Sequence, residues 1–131
     1  GENLTVVFIN NAVYGMTGGQ MAPTTLIGQK TATTPLGRNE KTEGYPLKIS
    51  ELLAQLPAVY SVERTFADSV QGILKTKNAI KTAFKNQMEN KGFSLVEVLS
   101  ACPTYWDMSA LESLDWIKST MSKEFPLGKL K

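Results

Sequence analysis

Residues Leu4 to Thr25 read LTVVFINNAVYGMTGGQMAPTT, an apolar run that empties into a polar, glycine-bearing loop. Leu4–Ile9 is apolar apart from Thr5 and reads as a strand buried on both faces, as in a parallel sheet. In an α/β protein, ligands bind outside the carboxyl ends of the strands, where such loops lie. The two amides, the glycine pair and the hydroxyls that follow suggest a phosphate or pyrophosphate site.

The rest of the chain alternates strand and helix patterns. Residues 10 to 46 show no sustained periodicity and hold most of the Gly, Pro and Thr. Pro23 limits any helix after Gly19 to a first turn. Ile49, Leu52, Leu53 and Leu56 keep helical spacing until Pro57. Ala58–Thr65 alternates as a strand. Asp68 and Ser69 are candidate N-caps for a helix from about Val70 to Asn90, with Gly92 placed to end it. Val70, Ile73, Leu74, Ile80, Ala83, Phe84 and Met88 form its apolar stripe. Phe93–Leu99 reads as a third strand, in which Glu97 needs a partner if buried. Ser109 and Glu112 form a capping box ahead of Leu111, Leu114, Ile117 and Met121. The order predicts a three-layer α/β/α fold with a mostly parallel sheet and right-handed crossovers.

At 131 residues the chain reads as a single domain, 1–131. A net charge of +2 argues against nucleic-acid or anionic-membrane partners. Lys75, Lys77, Lys81, Lys85 and Lys91 read as a solvated helix face. With one cysteine, Cys102, and no histidine, the chain cannot build a self-contained zinc site, an iron–sulfur cluster or a Ser-His-Asp mechanism. The lone thiol fits a reducing, cytoplasmic setting. No apolar run approaches the ~20 residues of a membrane span. Gly1 in place of Met suggests a fragment, a processed chain or an expression product.

Within the loop, Asn10 and Asn11 offer amide oxygens suited to Mg²⁺, or simply end the strand in an Asx turn. Thr17-Gly18-Gly19-Gln20 resembles a small anion cradle, since adjacent glycines let backbone N–H groups converge on one oxygen. It is neither a P-loop nor a GxGxxG fingerprint. Thr24, Thr25, Thr31, Thr33 and Thr34 add hydroxyls, more simply read as local turn bonding. Cys102 and the two tryptophans read as structural. Glu63 and Arg64 could form a buried or interface pair, or a solvated one.

The string NNAVYGMTGGQMAPTTLIGQKTATTPLGR, Asn10 to Arg38, resembles the thiamine-diphosphate-binding segment of the β subunit of 2-oxoacid:ferredoxin oxidoreductases, nearest in wording to the 2-oxoisovalerate (ketoisovalerate) type. The 2-oxoglutarate type is close, and a pyruvate type is an alternative. The resemblance continues through EGYPLKISELLAQLP (Glu43–Pro57), VER (Val62–Arg64), KGFSLVEVLSACPT (Lys91–Thr104) and PLG (Pro126–Gly128). It implies a metal, Mg²⁺, held by the side chain of Asn11 and the backbone carbonyl of Val13. It also implies that Tyr14, Gly15, Met16, Thr17, Gly18, Gly19 and Gln20 lie along the cofactor diphosphate, beside Asn11. The implied reaction is oxidative decarboxylation of a 2-oxo acid to acyl-CoA, with electrons leaving through iron–sulfur clusters on other subunits to ferredoxin. The implied partners are α, γ and ferredoxin-like δ subunits, with ferredoxin, CoA and the 2-oxo acid. Such enzymes carry a further metal ligand in an upstream GDG motif, and no GDG occurs in this sequence. The chain is therefore expected to be the C-terminal part of a cofactor domain, inactive alone, with residues 14–45 mobile. Readings from other classes are a non-catalytic α/β interaction domain and a phosphate-ligand module without chemistry.

Overall fold

β-Branched and aromatic residues in Val59–Phe66 and the apolar run Phe93–Leu99 form two strands, β4 and β5, that lie side by side at the centre of the sheet. They run parallel, in register from Val62 opposite Leu95 to Phe66 opposite Leu99, with one irregularity between Val59 and Ser61. This is a computed structural model, and it describes residues 2–131. In chain order the elements are β1 (Thr5–Asn10), β2 (Val13–Tyr14), β3 (Gln20–Met21), α1 (Ile49–Ala54), β4, α2 (Val70–Met88), β5, α3 (Pro103–Trp106), α4 (Ala110–Trp116), a π-helical turn (Ile117–Met121), α5 (Ser122–Glu124) and β6 (Gly128–Lys129). The main sheet has the order β1-β5-β4-β6. Ser94 N donates to Leu4 O and Ser100 N to Asn10 O, so β1 runs parallel to β5. The carboxyl-terminal β6 is antiparallel to β4 and thus closes one edge of a mixed sheet.

The chain divides into two compact units. One comprises Lys48–Leu99, Phe125–Lys131 and the chain up to Ile9; the other comprises Asn10–Leu47 and Ser100–Glu124.

In the sheet unit, helices cover opposite faces, as side-chain alternation along a strand requires. Ala79 and Ala83 of α2 pack with Val96 and Val98. Leu53 and Ala54 of α1 pack with Leu95, Val59 and Val62 on the other face. The Ser69 hydroxyl accepts from Gly72 N and caps α2, one of the two candidates. The helix ends at Met88 with Glu89 as its C-cap, and it is Asn90 rather than Gly92 that turns the chain out of it: Asn90 takes the left-handed φ of 53°, and Lys91 N returns to Asn86 O.

Two expectations about faces fail. Apart from Ala83 and the half-buried Ile80, the apolar stripe of α2 does not meet the sheet. Gly72, Thr76, Ala79, Ala83 and Asn86 do, because small side chains let the helix approach the strands closely, and Val70, Ile73, Leu74, Phe84 and Met88 are exposed. Nor is β1 buried on both faces. Val6 and Phe8 join the α1-side cluster, whereas Val7 and Ile9 point the other way, and Ile9 is 56% exposed. Among the described residues β1 is an edge strand, paired with β5 alone.

A buried ionic cluster ties this unit together. Glu97, fully buried on β5, receives Arg64 Nε at 2.7 Å and the Ser50 hydroxyl of α1. Arg64 also makes a two-pronged bond to Glu51, at 2.8 and 2.7 Å, and donates to Pro126 O at 3.0 Å. Its guanidinium stands 5.4 Å from the centre of the Phe125 ring. Burial lowers the Arg64 pKa, but Glu51 and Glu97 outweigh it and hold it above its ordinary value. Glu97 thus has the partner its burial demands, and Arg64 pairs with it rather than with Glu63. Glu63 lies opposite Lys129 of β6.

Candidate functional site

The loop unit begins where β1 ends. Asn10 is buried, and its Oδ1 accepts from Ala12 N at 3.1 Å and from the Thr24 hydroxyl at 2.8 Å. Asn11 Oδ1 accepts from Val13 N at 3.4 Å. These two side-chain turns force Ala12 into the left-handed region, φ 55°. That conformation costs an L-residue about 1–2 kcal/mol. Thr25 restrains it from below, its hydroxyl donating to Ala12 O at 2.6 Å while accepting from Ala22 N at 2.8 Å. Trp106 restrains it from α3: its indole Nε1 donates to Asn11 O at 3.2 Å.

After this turn the chain forms a two-stranded hairpin, with Val13 opposite Met21 and Tyr14 opposite Gln20. The long loop is therefore not structureless at its start, and no helix begins after Gly19. The hairpin tip is Gly15–Gly19, and the Met16 side chain is fully exposed. Gly18 and Gly19 have φ of 113° and 77°, as the tip geometry demands. A Cβ on Gly19 would lie 2.3 Å from the Tyr105 ring, and one on Gly15 would lie 3.2 Å from Cys102 Sγ. Cys102 and Tyr105 thus define the floor under the tip, a role the sequence did not signal.

The cradle expected at Thr17–Gln20 takes another form. Gly18 N donates to Gly15 O and Gly19 N to Tyr14 O, so both glycine amides serve the turn instead of pointing outward. Thr17 Oγ1 donates to Gln20 Oε1 at 2.7 Å, and Gln20 Nε2 returns to Thr17 O at 2.6 Å. An N–H consumed by a backbone carbonyl cannot also hold an anion, so diphosphate contact here requires this turn to open.

Of the loop threonines, Thr31 and Thr34 bond locally, as the simpler reading held, whereas Thr24, Thr25 and Thr33 also bond residues twelve or more positions away. Thr31 and Thr34 share a hydroxyl bond of 2.7 Å, and Thr33 Oγ1 accepts from Met21 N. The organising residue beyond them is Arg38. Buried, it donates from Nε to Gly44 O, from one terminal nitrogen to Pro23 O and Thr25 O, and from the other to Glu43 O and Tyr45 O, all within 3.2 Å. Desolvation lowers its pKa and the nearby Glu43 opposes that. Where mobility was expected for residues 14–45, this guanidinium bonds both ends of residues 22–45.

Beside the loop, a cavity of about 430 Å³ is lined by Leu26–Lys30 with Trp106, Met108, Trp116 and Thr120. The tryptophans meet with ring centres 4.6 Å apart, tilted by 54°. Gln29 Oε1 accepts from Leu26 N, which fixes its amide, and its buried Nε2 has no partner. Among the described residues no group of three or more His, Cys, Asp or Glu could hold a metal ion. The segment from Asn10 to Gln29 carries no ionisable acid or base other than Tyr14. Any metal here therefore depends on neutral oxygens, a donor set suited to a hard cation already bound by phosphate oxygens.

The stretch that builds this turn and hairpin lies within a match to a known family. The family described as thiamine pyrophosphate enzyme, C-terminal TPP binding domain, matches residues 1–98, and the chain belongs to it. Its relatives are subunits of 2-oxoacid oxidoreductases. It is 48% identical over 127 residues to ketoisovalerate oxidoreductase subunit VorA of Methanothermobacter thermautotrophicus, covering 97% of this chain and 27% of that protein. It is 35% identical over 131 residues to 2-oxoglutarate synthase subunit KorB of Methanocaldococcus jannaschii, covering 98% of this chain and 44% of that one. Among solved structures, the 2-oxoglutarate:ferredoxin oxidoreductase from Magnetococcus marinus, with 2-oxoglutarate, coenzyme A and succinyl-CoA bound, matches with a TM-score of 0.61 at 27% identity. That match covers 88% of this chain and 35% of the other. The chain thus spans between about a quarter and less than half of these relatives' length.

Proposed function

We propose that this chain is the C-terminal part of the thiamine-diphosphate- and Mg²⁺-binding subunit of a cytoplasmic 2-oxoacid:ferredoxin oxidoreductase acting on a branched-chain 2-oxo acid. The observation that carries it is the Ala12 turn at the end of β1. It brings the Asn11 amide oxygen beside the Val13 peptide, 3.4 Å from its nitrogen, and fixes both through Asn10, Thr25 and Trp106. Asn11 Oδ1 and the Val13 carbonyl would hold the metal. The weak bond that Asn11 makes now costs little to exchange. The tip from Tyr14 to Gln20 would lie along the diphosphate, with its Gly18 and Gly19 amides turned outward. Thiamine diphosphate, when bound, supplies the carbanion that attacks the 2-oxo carbon so that CO₂ can leave. The chain's own residues bind and orient; from Asn10 to Gln29 only Tyr14 carries an ionisable group.

The exposed edge of β1 supports a larger cofactor domain, since a bare parallel strand with apolar side chains normally has a neighbour. The missing GDG supports the same reading and makes the site incomplete in this chain alone. The branched-chain assignment rests on the higher identity to the ketoisovalerate relative, 48% against 35% for the 2-oxoglutarate one. CoA, ferredoxin and the remaining subunits with their iron–sulfur clusters complete the proposed enzyme.

The test is a calorimetric titration of Mg²⁺ with thiamine diphosphate. The longer polypeptide that includes the GDG half should bind, and this chain alone should not at millimolar cofactor. Asn11→Ala in the longer form should weaken metal-dependent binding by at least roughly tenfold, as loss of metal-site contacts does. Unchanged affinity would remove Asn11 from the metal. Faster turnover of 2-oxoglutarate than of 3-methyl-2-oxobutanoate by the assembled enzyme would overturn the substrate assignment.

A further inference from the structure

The Ala12 turn and the hairpin tip both rest on one short helix of the loop unit. α3 is a single turn, closed by Trp106 N donating to Cys102 O and Met108 N to Pro103 O. Its two consecutive aromatic residues hold different parts of the loop. The Trp106 indole bonds Asn11 O at 3.2 Å, and the Tyr105 ring lies under the tip. That ring meets the tip at two points. A Cβ on Gly19 would stand 2.3 Å from Cδ1 at one edge of the ring, and one on Gly15 would stand 3.6 Å from Cδ2 at the other. Gly19 therefore approaches the ring more closely than any residue with a side chain could. It is buried, although Met16, Thr17 and Gly18 beside it are exposed.

The bonds of the tip show what can move while the ring holds. Gly19 O accepts from Ala32 N at 2.9 Å, which fixes the peptide after Gly19. The two peptides before it bond only within the tip. Gly18 N donates to Gly15 O, Gly19 N to Tyr14 O, and Gln20 Nε2 to Thr17 O. A planar peptide can rotate between two stationary Cα atoms when the ψ before it and the φ after it change together. For both of these peptides the residue after is a glycine, Gly18 at φ 113° and Gly19 at 77°, and glycine takes either sign of φ. The two N–H groups can thus turn outward while the Cα atoms of Gly15 and Gly19 stay on the ring. Without the ring, the outward state would be one of many open ones, and a ligand would bear the entropy of selecting it.

We infer that Tyr105 is a positioning residue for the cofactor diphosphate: its ring anchors Gly15 and Gly19, so that the tip opens by rotation of the Thr17–Gly18 and Gly18–Gly19 peptides and not by wholesale excursion. This rests on the reading of the chain as part of a thiamine-diphosphate-binding subunit. The experiment uses the longer polypeptide that includes the GDG half, and the enzyme assembled from it. Tyr105→Ala should raise the calorimetric Kd for thiamine diphosphate, at saturating Mg²⁺, at least roughly tenfold, the factor for re-ordering one freed backbone residue. Tyr105→Phe keeps the ring and should stay within about twofold of the unaltered protein. In the assembled enzyme Tyr105→Ala should raise the KM for thiamine diphosphate by a similar factor and leave kcat at saturating cofactor within about twofold, because the lost hold acts on the diphosphate and not on the reacting carbon. Without cofactor, the Gly18 and Gly19 amides should exchange roughly tenfold faster in Tyr105→Ala, with β4 and β5 untouched. An unchanged Kd in Tyr105→Ala overturns the inference even where exchange accelerates. An equal rise in Tyr105→Phe assigns the effect to the phenol hydroxyl and overturns the role of the ring. A fall in kcat with KM unchanged overturns it in favour of a general structural role. Should Tyr105→Ala not fold, Tyr105→Leu, which keeps bulk without a flat face, decides: a Kd raised at least roughly threefold supports the inference, and an unchanged one overturns it. Failure of the unaltered longer polypeptide to bind thiamine diphosphate overturns the functional reading and the inference with it.

Discussion

Replacing Arg38 by methionine removes a buried cation that five backbone carbonyls accept from within 3.2 Å. Each bond from a charged donor is worth about 1.5–3 kcal/mol, but solvent recovers part of that wherever an abandoned carbonyl can turn to water. Gly44, Glu43 and Tyr45 are only partly buried or exposed, so their carbonyls rehydrate cheaply; Thr25 is fully buried, and its carbonyl does not. The expected net loss is about 3 kcal/mol, felt locally, because the carbonyls belong to the segment from Pro23 to Tyr45. Hydrogen exchange read by mass spectrometry should show amides in residues 22–45 exchanging roughly 100-fold faster, since about 1.4 kcal/mol is tenfold. Exchange in β4 and β5 should be untouched. Arg38→Lys should fall between, because one ammonium cannot reach all five acceptors. Exchange in residues 22–45 unchanged within about threefold would mean that the loop is held by something other than Arg38.

The buried ionic cluster sets two further outcomes. Arg64→Met takes away the buried cation that Glu97 receives, and should cost about 3–5 kcal/mol in urea unfolding. Desolvation raises the Glu51 carboxyl, but the Arg64 bonds outweigh it, and the group lies below its ordinary 4.5. Its contribution is therefore complete above pH 4.5 and is lost as pH falls through the lower folded value; Glu51→Gln should flatten that acid limb of a stability–pH curve. Gly19→Ala meets both a φ of 77° and the Tyr105 ring at 2.3 Å, and should destabilise the hairpin by about 2–4 kcal/mol. Adding Tyr105→Ala should recover the steric part and leave the backbone part of about 1 kcal/mol. Full recovery in a thermal melt would show that the left-handed backbone costs nothing there.

Local rules made much of this fold legible. The β5 bounds, the Ser69 cap and the Ser109–Glu112 capping box depend on near neighbours, and each lies where the sequence placed it. Glu97 announced a partner by being a carboxylate inside an apolar run. What stayed hidden was which side of an element faces inward. The period of Val70, Leu74, Phe84 and Met88 identifies a helical line but not what covers it, and Gly72, Ala79 and Ala83 won the sheet by being small. β1 misled in the same way, because a continuous apolar run records where neighbours belong, not which are present. At the site, the Asn10–Thr25 string pointed to the family, whereas Arg38, Tyr105 and the Trp106 indole gave no local signal. Their bonds join residues 13 to 95 positions apart, except for the short-range bonds of Arg38 to residues 43–45.

The tilted pair Trp106–Trp116 also has an optical consequence. These are the only two tryptophans in the chain, and both belong to the loop unit. Indole emission therefore reports on the neighbourhood of the Ala12 turn. The 19-residue helix α2 lies in the sheet unit, whereas α3, α4, the π-helical turn and α5 lie in the loop unit, so the helical ellipticity reports on both. One urea titration followed by both signals compares the melting of the loop unit with that of the chain as a whole. Coincident curves would mark a single cooperative body.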